Sequence, residues 1–159
     1  MEFTYRAYRN LLNKIKDCGY YFAFYNNWIN VTRSIILRHD IDYDVKKSVR
    51  LAEIENSEGV VSTYFVLVTS DFYNVFSKES YDGLMKILDY GHNIGLHFDE
   101  DRCPDCKGDA ARVVDHIFYE AELLEQCIAR KVSVVSMHRP SRALLEADVQ
   151  IPRMINSGC

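Results

Sequence analysis

Proline and glycine are scarce in this 159-residue chain, with three and seven occurrences, and no stretch is of low complexity or linker-like. No apolar run approaches the roughly 20 residues that cross a bilayer. Lys and Arg form no cluster, which argues against nucleic acid because phosphate binding requires grouped cations. The net charge of −4 is spread along the chain. We therefore expect one soluble domain, residues 1–159, that binds neither nucleic acid nor membrane.

The amino-terminal region lacks the apolar core and the cleavage site of a secretory signal peptide. This absence predicts a cytoplasmic protein. The chain has five cysteines, an odd number, and in an unexported protein this favours reduced thiols over a disulfide framework.

Strand-like apolar runs alternate with helical patterns along the sequence. The strand-like runs are 20–25, 34–39, 60–68, 93–98 and 132–137, and the helical patterns are 2–17, 44–57, 79–90, 109–130 and a segment from 141. This alternation predicts an α/β fold of right-handed βαβ units with a parallel sheet or barrel. Functional groups in such folds lie just beyond the carboxyl ends of the strands.

Ionisable residues follow three of the four main predicted strands, which favours a single cleft. Asp40 and Asp42 alternate on an extended segment, so their side chains can face the same way. The alternative is that this pair only caps the next helix, a task for which Asp44 is also available. The three segments are His39-Asp40-Ile41-Asp42, His97 to Asp101, and His138-Arg139-Pro140.

His97 is followed by three acidic residues, and an imidazole beside carboxylates suits a divalent metal. Zn²⁺ is the first choice, with Co²⁺, Fe²⁺ and Mn²⁺ as harder alternatives. A single histidine at a strand end is often only structural, but Asp42 is available as a second ligand to the same ion.

Three segments resemble, in the expected order, the first three motifs of the polysaccharide deacetylases (carbohydrate esterase family four). They are Arg38-His39-Asp40-Ile41-Asp42, residues 91–97, and Met137-His138-Arg139-Pro140. The resemblance implies a distorted (β/α) barrel and a metal-dependent hydrolase that removes acetyl groups from an N- or O-acetylated sugar. Carried over by position, it implies Asp40 as general base, Arg139 as the residue that holds Asp40, and Asp42 and His97 as metal ligands.

The sequence departs from that family in two respects. Where the family has a second histidine, four residues after His97, this chain has Asp101, which we expect as a ligand. The later motifs, including the histidine that acts as general acid, have no match, since no histidine follows Pro140. We expect an incomplete barrel that lacks its C-terminal part, with open edges that favour self-association. The alternative function is a non-catalytic module that binds a carbohydrate or a protein partner.

The pair Cys103 and Cys106 leaves three interpretations open. The cysteines are incidental thiols of a loop, or two ligands of a metal site together with His97 and His116, or a redox pair.

Overall fold

The computed structural model describes residues 4–106, 109–146 and 149–157, in which helices alternate with parallel strands. The helices are α1 (Tyr5–Asp17), α2 (Val45–Ser57), α3 (Lys78–Asp89), α4 (Ala110–Ile128) and α5 (Arg142–Glu146). The strands are β1 (Tyr21–Ala23), β2 (Ser34–Ile36), β3 (Arg38–Ile41), β4 (Thr63–Leu67), β5 (Asn93–Asp99), β6 (Val134–His138) and β7 (Ile155–Asn156).

The main sheet has five parallel strands in the order β3-β4-β5-β6-β7. Each strand therefore lies beside the next one along the chain, as in a (β/α) barrel. Among the described strands the arc does not close, because β3 and β7 each have a neighbour on one side only. The predicted α/β fold with a partial barrel is confirmed.

Side-chain caps begin the four long helices. Asp44 accepts hydrogen bonds from the N–H groups of Lys46 and Lys47 and so starts α2, while Thr4, Ser77 and Asp109 cap α1, α3 and α4. Because Asp44 performs this task, Asp40 and Asp42 are not needed as caps. The predicted helix 2–17 begins at Tyr5, and the part of that prediction at residues 2 and 3 lies outside the described residues.

The apolar run 34–39 is divided between two sheets. Its first part, β2, pairs with β1 in a separate two-stranded parallel sheet, and Arg38 starts the main sheet. A continuous apolar run does not reveal such a change of partner. The sequence pattern also did not predict β7, which has only two residues and pairs with β6.

The core lies between the sheet and helices α2, α3 and α4. Helix α3 packs against both α2 and α4. The contact with α2 depends on Gly83, because a Cβ atom there would lie 2.7 Å from Val45 Cγ1. None of the described helices is long and apolar enough to span a bilayer.

Candidate metal centre

Three metal-ligating side chains converge at the carboxyl ends of neighbouring strands. Asp42 directly follows β3, His97 lies near the end of β5, and His138 is the last residue of β6. One ligand atom from each lies within 4.8 Å of the other two. His97 Nε2 and His138 Nδ1 are each 3.5 Å from Asp42 Oδ1 and 3.0 Å from each other. The strand ends thus place three donors around one point.

His97 is oriented by the neighbouring strand. It is 2% exposed, and its Nδ1 lies 3.1 Å from the carbonyl oxygen of Ser136 in β6, to which it donates a hydrogen bond. The proton on Nδ1 leaves the lone pair of Nε2 facing Asp42 and His138. Burial lowers the pKa of His97, which favours the neutral ring that a metal requires. A backbone carbonyl that fixes the tautomer is the usual support of a metal-ligating histidine.

Asp42 presents an oxygen that fits a cation. Its Oδ1 atom is buried and has no hydrogen-bond partner among the residues that the structure describes. An orphaned carboxylate oxygen is costly unless a cation or a donor satisfies it. One carboxylate and two imidazoles are ligands that Zn²⁺ accepts, and three protein ligands leave one position open for water or substrate. The donor set therefore fits the divalent metal predicted from the sequence.

Arg139 contacts His138 and not Asp40. Its Nε donates to His138 Nε2 at 2.8 Å. The other ring nitrogen of His138, Nδ1, lies 3.0 Å from His97 Nε2 and 3.5 Å from Asp42 Oδ1. Arg139 also lies in the left-handed backbone region with φ 48°, a conformation that costs a non-glycine residue about 1–3 kcal/mol. The role implied for Arg139, holding Asp40, is thus not the one the structure gives it.

Arg38 takes the place expected of Arg139. Its Nη2 donates to both carboxylate oxygens of Asp40 at 2.8 Å and to Ser136 Oγ at 2.5 Å. Arg38 and Asp40 are two residues apart on β3, so their side chains lie on the same face of the sheet. Asp40 Oδ2 is also 3.9 Å from His97 Nε2, which places this carboxylate beside the three donors. The alternation that brings Asp40 and Asp42 together was visible in the sequence, but the partner of Asp40 was not.

The guanidinium of Arg38 packs against an aromatic ring. The guanidinium carbon lies 4.9 Å from the centroid of the fully buried Phe65 ring, within the range of a cation–π contact. Phe65 in turn needs Gly95 on the next strand, because a Cβ atom there would lie 2.7 Å from Phe65 Cε1 and 3.0 Å from the carbonyl oxygen of Val134. The position of Asp40 therefore depends on residues of four adjacent strands.

Asp101, the third ligand expected from the sequence, lies outside this group. Strand β5 ends at Asp99, and residues Glu100–Arg102 form a 3-10 turn in which Asp101 is exposed. Its N–H donates to Asp99 Oδ1 at 3.2 Å. The turn takes Asp101 off the strand direction, and His138 occupies the place of third donor. His138 stands directly after a predicted strand, which is the signal that could have identified it.

His39, between Arg38 and Asp40, points to the opposite face of the sheet. Its Nε2 lies 2.5 Å from Glu55 Oε1, and its ring is 4.8 Å from that of Tyr64. Glu55 is fully buried, and it also accepts hydrogen bonds from Tyr8, Ser62 and Tyr64. His39 therefore belongs to a polar network under α1 and α2, not to the candidate metal centre.

Comparison with solved structures shows the fold of carbohydrate esterase family four. The Streptococcus pyogenes deacetylase PplD, solved with acetate, matches with a TM-score of 0.66 and 14% identity over 92% of this chain and 70% of that one. IcaB from Ammonifex degensii matches with a TM-score of 0.63 and 10% identity over 90% of this chain and 70% of that one.

A pseudoenzyme of the same family is also similar. A mutant of the Bacillus anthracis protein, with restored enzymatic activity, matches with a TM-score of 0.55 and 18% identity over 76% of this chain. The chain spans 42% of that protein's length. The sequence matches no protein-family model and no curated protein sequence. At these identities the likeness establishes the fold, which is the fold that the sequence resemblance implied.

Proposed function

We propose that this chain is a metal-dependent hydrolase that removes acetyl groups from an N- or O-acetylated sugar, with Zn²⁺ as the metal. The observation that carries the proposal is the convergence of Asp42, His97 and His138 beside an Arg38-held Asp40. The solved neighbours support it, since PplD is a deacetylase of the same fold and was solved with acetate. We propose the acetylated sugar as the substrate because the resemblance implies it.

The residues divide the work of amide or ester hydrolysis. Asp42, His97 and His138 would hold the metal, which when bound polarises a carbonyl and lowers the pKa of water. Asp40 lies at the edge of this group and is oriented by Arg38, and in this proposal it would accept the proton of the attacking water. The contact of Arg38 Nη2 with both oxygens restricts the orientation of the carboxylate before substrate arrives.

Two exposed aromatic rings mark where the sugar would bind. Tyr43 directly follows Asp42, and its ring centroid is 4.6 Å from that of Phe72 in an edge-to-face arrangement. Ser70 Oγ donates to the carbonyl oxygen of Asp42 at 3.0 Å, which fixes the loop of Phe72 beside the metal ligands. Each ring is 66% exposed, so its face is available to the apolar face of a sugar.

A non-catalytic binding module of the same fold is the second candidate. A specific observation favours it: one structural neighbour is a pseudoenzyme, whose mutant has restored activity. Metal and sugar binding without turnover would identify this function.

Acetate release from N-acetylated and O-acetylated oligosaccharides tests the proposal. We expect release that requires a divalent metal, stops on chelation, and falls by at least about a hundredfold in Asp40→Asn. Protein that binds Zn²⁺ and oligosaccharide but releases no acetate would support the binding module. Protein that binds no divalent metal would overturn the hydrolase proposal.

A further inference from the structure

A second group of metal-ligating side chains lies outside the candidate metal centre. The Sγ atoms of Cys103 and Cys106 and a ring nitrogen of His116 lie within 4.8 Å of one another. Both cysteines are buried, at 1% and 0% exposure, and His116 is half-buried. The proposed hydrolysis uses none of the three.

The two cysteines are placed by a compact turn after β5. The N–H of Cys103 donates to the carbonyl oxygen of Glu100 at 3.1 Å, and the N–H of Cys106 donates to that of Cys103 at 3.0 Å. With the 3-10 turn Pro104–Cys106 they bring the Cα atoms of the two cysteines to 5.3 Å from each other. The backbone of the turn therefore holds the two cysteines close together.

The third donor comes from a different element. Helix α4 starts at the Asp109 cap, and the N–H of Asp109 donates to the carbonyl oxygen of Cys106 at 3.0 Å. The helix packs against the turn and carries His116 back over it two turns later. Donors from a turn and from the helix that follows it converge on one point, as they do in many small zinc sites.

The chemistry of this donor set differs from that of the candidate metal centre. Thiolates are soft ligands that select Zn²⁺ over Mg²⁺, Ca²⁺ and Mn²⁺, and imidazole suits the same ion. Three protein ligands leave one position of a tetrahedral ion for water. In the structure the two sulfur atoms are joined in a disulfide, which is the oxidised form of the same pair.

We propose that Cys103, Cys106 and His116 form a second zinc site in the dithiol state, which oxidation converts to the disulfide. A peroxide oxidant balances the step: the two thiolates lose one electron each and form the S–S bond. With hydrogen peroxide, the oxidant takes up these two electrons and two protons from the solvent and leaves as two molecules of water. The zinc ion departs as Zn²⁺ without change of oxidation state.

The site also has a structural consequence. Glu100, whose carbonyl oxygen starts the cysteine turn, accepts hydrogen bonds through its carboxylate from the N–H and Oγ of Ser141 at 2.9 and 3.0 Å. Ser141 follows His138 by three residues. A metal that ties the turn to α4 therefore stabilises the segment between two ligands of the candidate metal centre, and we expect zinc to raise the melting temperature of the reduced protein.

Cobalt spectroscopy on the reduced full chain tests the proposal. Thiolate-to-cobalt charge-transfer absorption reports sulfur ligands and is silent for a site of one carboxylate and two imidazoles. We expect this absorption in the reduced wild type and in Asp42→Asn, and its loss in Cys103→Ser and in Cys106→Ser. His116→Ala should weaken Co²⁺ binding by roughly tenfold to a hundredfold at this site only. Addition of Zn²⁺ should abolish the absorption by displacement.

A second experiment uses the wild-type protein alone and therefore does not depend on whether a variant folds. It measures the release of zinc on oxidation. Peroxide should release one equivalent of zinc together with the loss of two reactive thiols, and a reducing agent should restore both. X-ray absorption on the zinc form should show sulfur at about 2.3 Å. Reduced wild-type protein without charge-transfer absorption, or with thiols whose reactivity zinc leaves unchanged, would overturn the proposal and leave the pair as a disulfide only.

Discussion

The guanidinium of Arg38 donates to both carboxylate oxygens of Asp40 at 2.8 Å, from a position two residues away on the same strand. The same Nη2 also reaches Ser136 Oγ on β6. The orientation of the proposed base is thus set within β3 and anchored to β6, which lies three places away from β3 in the sheet.

Arg38→Gln should lower kcat for acetate release while the protein keeps its metal. The reason is that the substitution removes the guanidinium that orients Asp40, and misplacement of a reacting group by about 1 Å costs on the order of a hundredfold in rate. Steady-state kinetics with metal analysis measures both effects. Arg139→Gln is the matched comparison, because Arg139 contacts His138, so its main effect should be on metal affinity. A larger kcat loss in Arg139→Gln, with metal retained, would restore the role that the sequence resemblance implied.

Asp42→Asn should reduce the affinity for Zn²⁺ by at least about tenfold, because it removes the anionic ligand of the centre. Competition with a chromogenic chelator, on protein whose cysteines are blocked, isolates this site from the cysteine group. Asp101→Asn is the control: its carboxylate is exposed on the 3-10 turn after β5, so binding should not change. Equal losses in the two variants would place Asp101 among the ligands.

Phe72→Ala should raise KM for an acetylated oligosaccharide by roughly three- to tenfold and leave kcat unchanged. An aromatic contact contributes about 0.5–1.5 kcal/mol, and a factor of ten corresponds to about 1.4 kcal/mol. The variant Phe76→Ala serves as control, since Phe76 is another exposed aromatic residue, four residues further along the chain. An unchanged KM in Phe72→Ala would remove the aromatic pair from the proposed sugar-binding surface.

Glu55→Ala should destabilise the fold by about 3–5 kcal/mol, because it leaves several buried donors without their acceptor. Burial raises the pKa of Glu55, but hydrogen bonds from His39, Ser62 and Tyr8 outweigh it, so the net pKa is lowered. Urea denaturation measures the change. Glu53→Ala on the same helix removes only an exposed pair with Arg50 and should cost less than about 1 kcal/mol. Similar losses in the two variants would contradict the structural role of the Glu55 network.

Glu120 should make stability depend on pH. Burial, followed by the charge of Asp99, raises the pKa of Glu120 to about 7, and its Oε2 is buried without a hydrogen-bond partner in the described part of the chain. A raised carboxyl pKa means that the folded state holds the proton more tightly than the unfolded state. Below the unfolded pKa of about 4.3, Glu120 does not lower the free energy of unfolding. As the pH rises from there to about 7, Glu120 lowers that free energy increasingly.

Glu120→Gln should therefore gain stability over the wild type between pH 5 and 8, by on the order of 3 kcal/mol at the upper end. Below about pH 4 the two proteins should be nearly equal, because both then carry a neutral side chain. Denaturation curves at several pH values compare them. A difference that does not vary with pH would show that Glu120 ionises as freely in the folded protein as in the unfolded chain.

The sequence by itself determined the architecture and the location of the site. Helix and strand periodicities predicted α1 to α4 and β4 to β6 closely, because burial of one face imposes those periods, whereas the run 34–39 covered β2 and only the first two residues of β3. Parallel strands then bring their carboxyl ends to one edge, and this is where Asp42, His97 and His138 lie.

Only the tertiary structure decided which side chain contacts which. Arg38, and not Arg139, holds Asp40. Arg139 has a left-handed backbone conformation, and its side chain contacts His138. His138, and not Asp101, is the third donor of the candidate metal centre, because β5 ends at Asp99 and a 3-10 turn begins before Asp101. The approach of His116 to Cys103 and Cys106 depends on how α4 packs back over the turn. Each of these contacts depends on local backbone geometry and on the packing of distant segments. Residue types and their spacing along the sequence do not reveal either of them.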